Sequence, residues 1–69
     1  MTLLQFISTL GTQNVNITVI DGETDETIIE FKSQGIAGVE NDLTARTVKK
    51  WTMNSALNIS VKLEVANNP

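Results

Sequence analysis

Leu57-Asn58-Ile59-Ser60-Val61-Lys62-Leu63-Glu64-Val65 alternates five aliphatic with four polar side chains without a break. A period of two marks a half-buried strand, because successive side chains of extended backbone point to opposite faces. One face of this strand needs a cover. The rest of the chain has to supply that cover and the neighbouring strands.

Immediately upstream, Arg46-Thr47-Val48-Lys49-Lys50-Trp51-Thr52-Met53 is a second extended stretch and Asn54-Ser55-Ala56 is turn-like, so the two stretches read as a hairpin. Set opposite Ile59 and Leu57, Trp51 and Met53 share a parity and face inward. Val48 has the wrong parity. Either Val48 faces outward, or a β-bulge near Lys49-Lys50 returns it to the inner face; the bulge is favoured because it buries all three apolar groups. Residues 66–69 read as a frayed tail.

Val15-Asn16-Ile17-Thr18-Val19 also alternates strictly, and residues 27–33 form its partner strand across the turn segment Gly22-Glu23-Thr24-Asp25-Glu26. A three-residue loop at Glu23-Thr24-Asp25 sets Val19 opposite Ile29, Ile17 opposite Phe31 and Val15 opposite Ser33. The other face then pairs Thr18 with Glu30 and Asn16 with Lys32, a sensible polar set. A slip of one residue would put Ile17 against a carboxylate. The same register makes Ile20 and Ile28 a cross-strand pair on the face away from the helix. They are either two ordinary exposed aliphatics or the seed of an interaction patch and dimer contact.

At the N-terminus, Thr2-Leu3-Leu4-Gln5 spells a capping box, with a Thr hydroxyl at the N-cap and a Gln reaching back from N3. Leu3, Leu4, Ile7 and Leu10 follow at helical spacing, and Gly11 sits where a left-handed residue closes a helix. The spacing predicts a helix over residues 3–10, too short to stand alone and therefore docked on the sheet. Residues 34–44 predict an irregular crossover. Gly35 and Gly38 weaken any helix there, while Ile36, Val39 and Leu43 are spaced like one face of a single turn. The fold class is α+β: a short N-terminal helix and the crossover pack on one face of a four-stranded, mainly antiparallel sheet made of two hairpins. The opposite face stays polar and wet.

Size limits what such a chain can do. Sixty-nine residues make one domain near the lower limit for independent folding, and three aromatics, Phe6, Phe31 and Trp51, leave a small aliphatic core. Self-association is a ready way to add stability, so a homo-oligomer is expected. No cysteine is present, which rules out disulfides and thiolate metal sites and favours a reducing cytoplasm. The apolar N-terminus lacks a preceding Lys or Arg and does not resemble a signal peptide, and no stretch is long enough to span a membrane. The sequons at Asn16 and Asn58 fall inside strand patterns and are read as chance. With no histidine either, the usual general base and strong nucleophile are both missing, and the chain is not expected to be an enzyme or to carry a cofactor.

Two charged groups stand out. Asp21, Glu23, Asp25 and Glu26 lie within six residues, but Glu26 occupies the place of the glycine a Ca²⁺ loop requires and Lys32 that of its bidentate acid. The group reads as a solvated hairpin loop or, in a functional role, as a surface for a basic protein partner. Arg46, Lys49, Lys50 and Lys62, with Trp51 beside them, are the minimal kit for single-stranded nucleic acid. A net charge of −3 argues against that partner. Trp51 is read as core and the lysines as protection of a strand edge.

The helix at residues 1–10, the hairpin strand running into an acidic Asp-Gly-like tip at 15–21, and the Val-Lys-Lys-aromatic run leading into the last two strands at 48–65 together resemble very small proteins of unknown function encoded by phages and prophages of Gram-positive bacteria. Residues 34–42 depart from that pattern, where a firmer helix is expected. The resemblance implies a mobile-element origin and a small binding or accessory role, and it transfers no functional residue. The reading is a non-enzymatic interaction module, with a nucleic-acid accessory protein or a structural subunit of a larger assembly as alternatives.

Overall fold

The computed structural model describes residues 1–64; the tail expected at 66–69 and the Val65 end of the last strand lie outside the described residues. Helix α1 (Leu3–Ser8) leads into the hairpin of β1 (Asn16–Asp21) and β2 (Thr27–Lys32). A crossover follows, built from a 3-10 turn (Ser33–Gly38) and one turn of helix α2 (Asn41–Thr44). The hairpin of β3 (Val48–Ser55) and β4 (Asn58–Leu63) closes the chain. The four strands form one sheet in the order β2-β1-β4-β3. Both hairpins are antiparallel, and the two central strands, β1 and β4, run parallel.

Local chemistry accounts for α1. Thr2 Oγ1 accepts from the Gln5 amide at 3.1 Å and Gln5 Oε1 accepts from the Thr2 amide at 2.9 Å, so the capping box is closed. The helix stops two residues short of expectation. The Ser8 and Thr9 hydroxyls bond back to the Leu4 and Phe6 carbonyls, the last turn tightens, and Gly11 at φ +64° ends it. Leu3, Phe6 and Ile7 are buried against Val15, Ile17 and Val19 of the first hairpin and Ile59, Val61 and Leu63 of β4. Ile36, Leu43 and Val48 pack at the rim and Val39 is buried, so the crossover covers its part of the core as expected.

The first-hairpin register follows the side-chain argument from Asn16↔Lys32 to Val19↔Ile29, and then changes. A bulge between Val19 and Ile20 pairs Ile20 with Thr27, so the expected Ile20–Ile28 pair does not form. The loop bends back through Asp25 at φ +62° and needs an extra residue on the β2 side. In the second hairpin the bulge at Lys49 is present and brings Val48 opposite Leu63. The turn, however, is the two-residue Ala56-Leu57 pair, and β3 runs on to Ser55. Trp51 therefore faces Val61 and Met53 faces Ile59, each two residues further along β4 than the longer turn predicted.

Candidate interaction surface

The parallel pairing of β1 with β4 brings together two groups that are far apart in sequence. The β1–β2 loop reaches the end of β4 and the start of β3, so the acidic tip lies among basic side chains. Lys62 Nζ sits 2.8 Å from Asp25 Oδ1, Lys49 Nζ donates to the Gly22 carbonyl at 3.4 Å, and Arg46 donates to the Glu64 carbonyl at 2.7 Å. Asp21 is turned onto its own loop, where Oδ1 accepts from the amides of Glu23 at 2.8 Å and Thr24 at 3.1 Å. Those two amides, with a smaller contribution from the Arg46 charge, hold the Asp21 carboxyl below its ordinary value of 3.8. Glu23 and Glu26 remain exposed. Among the described residues no three carboxylates converge in a way that would hold a metal ion.

The tip is also tied by backbone. The Gly22 amide donates to the Leu63 carbonyl at 2.9 Å, an approach so close that a β-carbon at residue 22 would collide with that oxygen. Glycine is needed here for space, not for an unusual φ.

Parity separates the basic groups from the tryptophan. Lys50 pairs with Lys62 on the outer face of the sheet, whereas Trp51 pairs with the buried Val61 on the helix side. Trp51 thus points away from Lys50 and Lys62, and Lys49 and Lys62 are engaged by the acidic loop. The outer face is a lattice of short polar chains. Asn16 donates to Asn58 at 3.1 Å, Lys32 to Asn16 at 3.0 Å and Asn54 to Ser60 at 2.6 Å. Its shallow depression of about 320 Å³ lies beside Asn16, Thr18, Glu30 and Lys32, one carboxylate and one amine among neutral polar groups.

The helix side of β3 is different. Trp51 faces inward as parity requires, but it is 50% exposed, which corrects its assignment to the core. Its ring lies beside Phe6 on the helix, with centroids 5.4 Å apart and tilted by 46°. Met53 is 56% exposed and Leu57, in the turn beside it, 59%. A half-uncovered apolar strip therefore runs along the second hairpin. Ile28, 40% exposed at its bulge, and the half-buried Ile20 form no comparable surface.

Strand β3 is also an edge of the sheet. Its first residues are capped by the N-terminus through a Thr2↔Thr47 bridge and a 2.8 Å bond from the Val48 amide to the Met1 carbonyl. Beyond Val48 no described residue pairs with its outer side. Open backbone and exposed apolar side chains coincide there, a combination that edge strands ordinarily avoid. Alternation in the sequence identified Trp51 and Met53 as inward-facing. It gave no signal that α1 would end before covering them.

No protein-family model, curated protein or solved structure matches this chain. Its chemistry is read from its own residues.

Proposed function

We propose that the chain is a non-enzymatic protein-interaction module that engages its partner through the open edge of β3 and the apolar strip beside it. One observation carries this reading: Trp51 and Met53 lie half exposed on the helix side of an edge strand whose outer backbone is unpaired from Lys49 to Ser55 among the described residues. An incoming strand would gain main-chain hydrogen bonds from the edge and side-chain specificity from the strip, which is the logic of β-strand addition. Tryptophan at the centre of such a patch is the residue type that most often anchors protein interfaces. The acidic tip has weaker claims, because Asp21 and Asp25 are already engaged within the fold. Nucleic-acid binding has less support still, with Lys50 and Lys62 on the face opposite Trp51 and Lys49 bonded to the acidic loop. The likeness to small phage-encoded proteins accords with an accessory binding role.

Trp51 is the chain's single tryptophan, so its fluorescence reports directly on this surface. Protein captured from a cell lysate should be lost with Trp51→Ser and with Met53→Lys, and kept with Thr18→Lys on the outer face. Capture that is indifferent to the first two variants and abolished by the third would move the contact to the other side of the sheet.

A further inference from the structure

We infer that the strand received by β3 is β3 of a second copy of this chain, paired antiparallel about a two-fold axis at Thr52. This rests on the reading of β3 as the contact edge and gives that edge a partner. In a continuous sheet formed across a two-fold, residues directly opposite each other point to the same face. The two copies must therefore cross at a residue, not between residues. The three crossing points at the middle of the open stretch are Trp51, Thr52 and Met53.

Crossing at Trp51 would set the two indoles against each other and Met53 against Lys49. Crossing at Met53 would set Trp51 against Ser55. Crossing at Thr52 sets Trp51 opposite Met53 of the second copy, and the reverse, so two aromatic–thioether pairs form one apolar cluster on the helix side. On the outer face the same register puts Lys50 opposite Asn54, and it puts Lys49 opposite Ser55. No lysine meets a lysine. The segment from Lys50 to Met53, bounded by irregularities at Lys49 and Asn54, is also the part of β3 in regular register with β4, and so the straightest piece of edge available.

Long-range charge agrees. Each copy carries −3 overall, and two of its exposed acids, Glu23 and Glu26, lie in the loop at one end of the strands. Antiparallel pairing sends the two loops to opposite ends of the assembly. In a molecule whose longest dimension is 36 Å, that is well beyond the Debye length of about 8 Å at physiological salt. The alternative edge, β2, is poorly suited to self-pairing, since the bulge at Ile28 interrupts it and Glu30 and Lys32 line it.

The absence of cysteine makes the register directly readable. Under mild oxidation Thr52→Cys should cross-link two copies through the axis. Lys50→Cys should not, because residue 50 lies about 13 Å along the strand from its own copy at roughly 3.3 Å per residue. Lys50→Cys mixed with Asn54→Cys should cross-link again. Light scattering on the unaltered chain should give twice 7.5 kDa, and Met53→Lys, folded by circular dichroism, should weaken association at least ~10-fold by placing a charge opposite Trp51. A chain that stays monomeric at every concentration, or a Lys50→Cys variant that links to itself as readily as Thr52→Cys does, overturns the two-fold pairing. If a monomer still captures another protein through Trp51 and Met53, the contact edge stands and only its occupant changes. If nothing is captured either, both readings fall.

Discussion

Replacing Gly22 by alanine is the sharpest test of how the acidic loop is held to β4. Three effects compete. The unfolded chain loses backbone freedom, which by itself stabilises the variant by about 0.4–1 kcal/mol. Against this, the new β-carbon meets the Leu63 carbonyl oxygen, a backbone atom that cannot rotate away, while its contact with the Lys49 side chain is with a flexible stem that can move. Relieving the clash breaks the 2.9 Å bond from the Gly22 amide to Leu63, at about 1–3 kcal/mol for a partly buried donor. Residual overpacking adds about 1–3 kcal/mol. The net is a loss of about 3 kcal/mol, from a total of roughly 3–10 kcal/mol expected for a domain of this length. Urea unfolding followed by circular dichroism should show the midpoint falling by about 3 M, with the slope near 1 kcal/mol/M and unchanged. Gly35→Ala is the internal control, since nothing lies within 4 Å of its added carbon. It should leave the midpoint unchanged or raise it. A Gly22→Ala variant as stable as Gly35→Ala would refute the claim that the loop is pinned by this contact.

Ser33 is buried, and its hydroxyl accepts from the Val15 amide at 2.9 Å while donating to the Gln13 carbonyl at 2.7 Å. Ser33→Ala orphans the buried Val15 amide, leaves the Gln13 carbonyl to the Gln34 side chain at 3.3 Å, and should cost about 1–3 kcal/mol in the same urea assay, whereas Asn54→Ala on the exposed outer face should cost less than about 0.5 kcal/mol. Because the folded Asp21 carboxyl lies below its unfolded value, it contributes stability above pH 3.8 that is lost as the pH falls below it. The stability gap between the unaltered chain and Asp21→Asn should therefore be full at neutral pH and narrow below 3.8; a gap independent of pH would show that the loop amides do not bind the charge. The Lys62–Asp25 pair is exposed on both sides, at 40% and 67%, so a double-mutant cycle with Lys62→Met and Asp25→Asn should give a coupling below about 1 kcal/mol that shrinks with salt. Asparagine is used at residue 25 because it tolerates the left-handed backbone found there.

What the sequence made legible was local. The capping box, the closing glycine of α1, the pairing of Ile17 with Phe31 and the bulge at Lys49 each follow from chemistry within a few residues or across one turn. What stayed hidden was non-local. Alternation states which side chains face in, but not which strand lies beside which. The parallel contact of β1 with β4 could not be read from either hairpin. That contact places Lys62 on Asp25 and Lys49 on Gly22, turning two apparent surfaces into one partly neutralised tip. The bulge at Ile28 escaped for a related reason, since it depends on how the loop closes through Asp25.

The exposure of Trp51 and Met53 comes from a mismatch of lengths, and that mismatch bears on function. A helix of six residues spans about 9 Å, whereas a strand of eight residues spans roughly 26 Å. Helix α1 can therefore shield only part of β3: it meets Trp51 at Phe6, and Trp51 and Met53 both stay half exposed. If the bare part of β3 faced only water, polar residues would suit it best. The same strand supplies them on its other face, where Lys50, Thr52 and Asn54 alternate with Trp51 and Met53 at similar exposure. One face of β3 is written for water and the other for a cover that the described chain does not itself provide.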